Sequence, residues 1–253
     1  SYFKFYGKSL RHALFAFEHI FTQNEISKKL LHSINYNNVT VSGDTRFDRV
    51  FSQLELNNSL DFIEIFKGNK LCIVAGSTWP EGEDLFINYI NKSIKKDIKF
   101  IIAPHDIKEN NILDLQKRLN TSSVLFSEKD DKPLEKAQVF IVNTIGILTK
   151  IYSYGAIAYV GGAMGNTGLH NTLEPAVFGL PIIIGHNYSK FPEAKALIEN
   201  GGMFSISNQQ EFDKILNELI ENQEKRLKTG SKNLDYIQKN RGAVIQILDY
   251  LRI

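Results

Sequence analysis

A chain of 253 residues with 43% hydrophobic and 23% charged side chains has the material for one large or two modest globular domains. Its net charge of +2 is too mild to argue for a nucleic-acid partner, and none is expected. The single cysteine, Cys72, excludes a disulfide within the chain, and no apolar run approaches the roughly 18 residues of a membrane span.

No signal-peptide pattern is visible. The chain opens on Ser1, and its only methionines are Met164 and Met203, so it reads as an excised part of a longer protein. Residues 17–21 alternate weakly as a short strand. Thr22 to Glu25 matches a capping box before a helix over 26–31. Residues 39–41 form the next strand, Gly43-Asp44-Thr45 breaks it, and 46–50 resume helical spacing. This opening piece has few partners of its own. Residues 1–45 are expected to be the tail of a preceding domain, with a crossover near 43–48, and residues 46–253 a domain of their own.

From there strands and helices alternate. Residues 71–75 are an apolar strand that buries Cys72, followed by the turn Gly76-Ser77. Thr78-x-x-Glu81 is a second capping box, with Pro80 tolerated in the first turn of a helix that shows its periodicity over 84–94. Lys92, Lys95, Lys96 and Lys99 read as a solvated cationic helix end. Residues 99–103 are a strand with Pro104-His105-Asp106 at its carboxyl end, and 110–119 a helix. Residues 123–126 form a short strand, 127–136 a polar loop, and 139–142 a strand ending in Asn143-Thr144-Ile145-Gly146. A helix then passes through Leu148 and Tyr152.

The strand over 156–160 leads into the most informative stretch, from Gly161 to Ala176. A strand, a glycine-rich turn and a helix start together present backbone N–H groups to an anion. Glycines let the backbone approach a ligand closely. His170, Asn171 and Glu174 add a ring, an amide and a carboxylate. The stretch therefore reads as a nucleotide-sugar site, with amides for phosphate and Glu174 for ribose hydroxyls. A dinucleotide site wants G-x-G-x-x-G and an acid about 20 residues on. Here the glycines fall at 162, 165 and 168, and the next strand, 181–185, ends in Gly185-His186-Asn187, which argues against NAD. A helix from Pro192 to Ile198, capped by Gly201-Gly202, precedes a last strand over 203–206. From Gln209 on the chain reads as helical, broken near Thr229-Gly230.

This alternation predicts an α/β fold, a Rossmann-like parallel sheet with helices on both faces. Ligands of such sheets sit at the carboxyl ends of the strands. That gathers Ser77, Thr78, His105, Asn143, Gly146, Gly162, His170, Asn171 and Glu174 at one edge. Ser77 and Thr78 read equally as caps and as phosphate contacts, and His170 equally as a structural residue. No metal-ligand spacing links His105, His170 and His186, so no metal is expected.

The ordered series Gly76-Ser77-Thr78…Gly82-Glu83-Asp84, Pro104-His105, Asn143-Thr144-x-Gly146-x-Leu148 and Gly161-Gly162…Gly168-x-His170-Asn171-x-Leu173-Glu174-Pro175-Ala176 resembles the 3-deoxy-D-manno-octulosonic acid (Kdo) transferases of lipopolysaccharide synthesis. Gly43 to Asp48 resembles that family's segment between its two domains. The resemblance covers nearly all of this chain and the carboxyl-terminal half of the family. It implies a two-domain, inverting, metal-independent GT-B glycosyltransferase whose carboxyl-terminal domain binds the donor CMP-Kdo, with no cofactor. It implies an amino-terminal domain, mostly absent here apart from a truncated remnant, that binds the lipid A precursor, associates with the cytoplasmic face of the inner membrane and supplies the carboxylate base. The fragment alone is then soluble, binds donor and does not turn over. Two family features are missing: the arginine before the histidine is Pro104, and an acid and a glutamate are Asn143 and Ile147. The alternatives are a nucleotide-sugar 2-epimerase, which shares the GT-B plan, and a non-catalytic nucleotide-binding module. A phosphate hydrolase finds no nucleophile motif.

Overall fold

Short apolar runs separated by helical stretches build a seven-stranded parallel sheet in the order β5-β6-β4-β3-β7-β8-β9. The computed structural model describes residues 2–4, 7–93 and 97–252. The strands are β3 (Leu71–Thr78), β4 (Ile98–Pro104), β5 (Ser123–Leu125), β6 (Val139–Ile141), β7 (Ile157–Val160), β8 (Ile182–Gly185) and β9 (Met203–Ile206). Both faces are covered, so both residue parities along the strands are apolar and buried. One face carries Ile73, Phe100, Ile102, Val139, Tyr159 and Ile183 against α5 (Pro80–Lys92), α6 (Glu109–Lys117) and α10 (Gln209–Glu221). On the other face Phe140 meets Phe62 and Phe66 of α4 (Asp61–Lys67). The predicted Rossmann-like α/β class is the observed one.

The chain lays down β3, builds β4 and β6 on one side of it, then returns to place β7 on the other. The strand order reverses between β3 and β7. In open α/β sheets that reversal opens a crevice beyond the carboxyl ends of the two strands.

Several local expectations change. The cap of α2 (Glu25–His32) is Asn24, whose side chain accepts from Ser27 N at 2.9 Å, while Thr22 ends β1 (Ile20–Thr22). That strand begins at Ile20, and Phe17 lies exposed outside it. Thr78 is no cap. It is the last residue of β3, fully buried, and α5 starts at Pro80 behind an uncapped Trp79. The T-x-x-E spelling fits a capping box, but a bulge at Ser77 (φ 51°) carries the strand on through Thr78. Of the proposed cationic helix end, Lys95 and Lys96 lie outside the described residues, as does Ile94, the last residue of the helix expected over 84–94. Lys99 belongs to β4 and is 3% exposed, its ammonium donating to the carbonyls of Glu135 and Ala137. The polar loop over 127–136 holds 3-10 turns at Phe126–Glu128 and Leu134–Lys136.

The carboxyl-terminal helices break at Asn222 and Gly242, and α11 (Gln223–Asn240) runs straight through Gly230. Asn222 ends α10 and caps α11 by accepting from Lys225 N at 2.8 Å. Gly230 is there for clearance: a Cβ would collide with the Gly179 carbonyl.

The chain divides into two compact units, residues 1–55 with 237–253, and residues 56–236. Residues 46–55 and 237–253, expected with the larger domain, cluster with the first 45. In the smaller unit β1 pairs in parallel with β2 (Val39–Val41) over a small core of Leu31, Ile34, Tyr36 and Val39. Asp48, on α3 (Thr45–Ser52), accepts from Gly242 N and Val244 N and so starts α12 (Ala243–Leu251). The larger unit holds the sheet and every candidate site residue.

Candidate functional site

The crevice beyond β3 and β7 is built on one close approach. A Cβ at Gly161 would strike the carbonyl of Ser77, so only glycine lets the chain leaving β7 lie against the β3 bulge. Gly162 then turns at φ 98°, with the Gly168 carbonyl where a side chain would stand. The loop from 162 to 169 is clamped by its carbonyls. Gly161 O accepts from His170 N at 3.1 Å, Gly162 O from the Thr167 hydroxyl at 3.1 Å, Ala163 O from Asn187 N at 2.9 Å, and Gly165 O from Asn187 Nδ2 at 2.8 Å. Among the described residues none of the backbone N–H groups of 162–169 finds a protein acceptor. Carbonyls held and amides free is the polarity of an anion cradle. The donors come from the loop itself, since α8 (Leu173–Val177) is only five residues long.

Glu174 lies in the first turn of α8 and is half-buried. Its Oε2 accepts from the Thr149 hydroxyl of α7 (Leu148–Tyr152) at 2.9 Å and its Oε1 from Asn171 Nδ2 at 3.0 Å. Asn171 is in turn fixed by Leu173 N, which donates to its Oδ1 at 3.1 Å. Each carboxylate oxygen keeps acceptor capacity, in a direction set by the first two bonds. Burial, and then the charge of Glu174, push the Tyr152 hydroxyl's pKa upward.

Three rings form the crevice's other wall. Trp79 stacks on His105 at 4.6 Å between centroids, and His105 meets His170 at 4.6 Å. The Trp79 indole N–H donates to His170 Nε2 at 3.1 Å. Burial, with a smaller contribution from His105, holds the His170 pKa below the usual imidazole value, so its Nε2 stays an acceptor. His105 is tied to the end of β3 by its backbone N–H, which donates to Thr78 O at 2.9 Å.

The remaining candidates are placed differently. The Thr78 hydroxyl is buried and donates to Glu83 Oε1 at 3.0 Å, so it is not offered to the crevice. Burial raises the Glu83 pKa, and the Thr78 bond opposes that rise. Ser77 contributes backbone. The Asn143 amide is engaged with Ser127, accepting from Ser127 N at 3.0 Å and donating to its hydroxyl at 2.9 Å. Gly146 lies exposed at φ 88° with open space where a Cβ would point, beside Ile145 at 82% exposure. The structure thus joins His105 and His170 in one cluster and Asn171 and Glu174 in another, across the Gly162 loop, and leaves Asn143 and Gly146 at the rim.

Sequence reasoning missed Trp79, Thr149 and Asn187. Trp79 directly follows the turn after β3, a position that was legible. Nothing local marks Thr149 or Asn187, whose partners lie 25 and 22 residues away. Among the described residues no group of three or more His, Cys, Asp or Glu is placed to hold a metal ion, and no helix is long and apolar enough to cross a membrane. The arrangement supplies anion donors, a fixed acceptor for hydroxyls and an aromatic wall, which is binding chemistry more than bond-making chemistry.

No protein-family model matches the chain. It is similar to the 3-deoxy-D-manno-octulosonic acid transferase of Haemophilus influenzae, at 27% identity over 242 residues, 92% of this chain and 56% of the relative. It is 35% identical over 186 residues to the transferase of the same name from Aquifex aeolicus, 69% of this chain and 51% of the relative. The crystal structure of the C-terminal CMP-Kdo binding domain of WaaA from Acinetobacter baumannii matches with a TM-score of 0.61 at 19% identity, over 77% of this chain and 100% of that domain. That likeness is one of fold. The chain spans about half the length of the curated relatives it matches.

Proposed function

We propose that this chain, similar to the Kdo transferases over about half their length, is their donor-binding part, taking CMP-Kdo in the crevice beyond β3 and β7. The observation that carries this reading is the pairing of a loop with free amides and a carboxylate pre-set by Thr149 and Asn171. The amides of 162–169 receive the phosphate. Glu174 accepts from ribose hydroxyls through charge-assisted bonds. Trp79, His105 and His170 bound the site from the β3 side. With Pro104 where the family carries arginine, neutralisation of the phosphate falls to the amides.

The whole protein, on this reading, transfers Kdo from CMP-Kdo to the lipid A precursor in lipopolysaccharide synthesis. The bond from the anomeric carbon to the phosphate oxygen breaks, and both electrons leave with CMP. An acceptor hydroxyl attacks from the opposite face, giving inversion, and loses its proton to a carboxylate base outside this chain. Charge develops on the phosphate, so preorganised amides stabilise the departing group without a metal or cofactor. The acceptor site, the base and the association with the cytoplasmic face of the inner membrane belong to the remaining half.

Titration of this chain with CMP, UMP and CMP-Kdo tests the reading. Tighter binding of the cytidine nucleotides is expected. Preference for UMP would favour the 2-epimerase alternative, and no nucleotide binding would sink the reading. CMP-Kdo radiolabelled in its sugar and offered with lipid A precursor should not have its Kdo transferred by this chain alone.

A further inference from the structure

The glycine loop has a second side. Between it and the loop after β8 lies a cavity of about 200 Å³, lined by Gly165, Asn166, Gly168, Asn187 and Lys190 among others. Ligand pockets usually hold about 300–1,000 Å³, so this is the size of a subsite and not of a whole site. Its walls are set: Asn187 bonds the glycine loop through both its backbone N–H and its side-chain amide, and Phe191 lies 3.8 Å from where a Gly168 Cβ would stand. Lys190 is exposed and enters no ion pair among the described residues. Residues 165, 166 and 168, whose backbone N–H groups find no protein acceptor, line the same cavity. An unpaired ammonium beside donors without acceptors suits a carboxylate or a phosphate.

The position distinguishes the two. Glu174 is anchored to α7 on the β3 side of β7, whereas the cavity lies between the ends of β7 and β8. A donor with its ribose at Glu174 and its phosphate on the loop would extend its sugar toward the cavity. Kdo is an acid, so its sugar carries a carboxylate that neutral nucleotide sugars lack. We propose that Lys190, with Asn166 and beside the loop amides that receive the phosphate, forms the subsite for the sugar carboxylate and makes the site selective for acidic sugars. This rests on the donor-binding reading above and adds a residue to it.

The test is a titration of wild type, Lys190→Gln and Lys190→Arg with CMP and with CMP-Kdo. Lys190→Gln should weaken CMP-Kdo about 10- to 100-fold, the range for one charge-assisted bond, and leave CMP unchanged. Lys190→Arg should retain most of the affinity. Equal loss for both ligands would assign Lys190 to the phosphate, and no loss for either would make it a solvated surface lysine; either result overturns the inference while the donor site stands. Failure of the wild-type chain to bind CMP would instead remove the donor-binding reading, and this inference with it.

Discussion

Replacing Glu174 by alanine asks whether its carboxylate holds a ribose. In the structure each oxygen accepts one hydrogen bond, from Thr149 at 2.9 Å and from Asn171 at 3.0 Å, which leaves lone pairs on both for a diol. A hydrogen bond to a charged group contributes about 1.5–3 kcal/mol. Losing one should therefore raise the Kd for CMP about 10- to 150-fold at roughly 1.4 kcal/mol per decade. The substitution also strips two donors of their acceptor. Asn171 is exposed and Thr149 half-buried, so water replaces most of that loss. Calorimetric titration of wild type and Glu174→Ala with CMP and 2′-deoxy-CMP closes a thermodynamic cycle. The deoxy nucleotide should bind wild type more weakly than CMP and should lose little more on mutation. If Glu174→Ala discriminated CMP from its deoxy form as well as wild type does, the ribose assignment would be wrong, however much both affinities fell.

Four further outcomes follow from buried and half-buried groups. The His170 pKa is held below its ordinary value near 6.5, so the unfolded chain takes up this proton first. The resulting stability is present above about pH 6.5 and is lost as pH falls toward the folded pKa; urea midpoints between pH 7.5 and 5.5 should show a drop that His170→Gln reduces. Trp79 is the only tryptophan and donates to His170 Nε2, so its fluorescence should titrate over the same window in wild type and not in that variant. Cys72 is fully buried and burial pushes its thiol up to about 12, so a thiol reagent at pH 8 should label it only at the rate of unfolding. Asn233 is fully buried on α11 and donates to Leu180 O and Gly202 O at 2.7 Å each. Gly202 O also accepts from Ile182 N at 3.3 Å, so Asn233→Leu bares chiefly Leu180 O and should destabilise by about 1–3 kcal/mol, read by denaturant unfolding. That loss is lessened because Asn233 Oδ1 itself has no partner.

The sheet was legible because a parallel sheet covered on both faces leaves continuous apolar runs, and 71–75, 100–103 and 156–160 are such runs. What failed were choices between chemically similar local solutions. Asn24 and Thr22 are both good caps, and backbone direction, which no spacing reveals, selected Asn24. Thr78-x-x-Glu81 spells a capping box correctly, yet the bulge at Ser77 keeps Thr78 in the strand and turns its hydroxyl toward Glu83. Lys99 looked solvated by composition. Its ammonium is buried because two carbonyls of the segment before β6 accept from it and the Phe66 ring lies 4.8 Å away.

The site divides along the same line. Glycines at 161 and 162 announce themselves, since no other residue tolerates a carbonyl where a Cβ would be. Residues that aim the functional groups do not. Thr149 orients Glu174 from a different helix, Asn187 clamps the glycine loop from a different strand end, and Trp79 sets the acceptor state of His170 from 91 positions away. A carboxylate after a glycine loop is common chemistry. What makes this one a candidate for ribose is that both its oxygens are already oriented before any ligand arrives, so binding spends little conformational freedom on Glu174. The same logic explains the loop: its carbonyls are consumed by Thr167, His170 and Asn187, and that consumption, more than the glycine count, leaves the amides free for an anion.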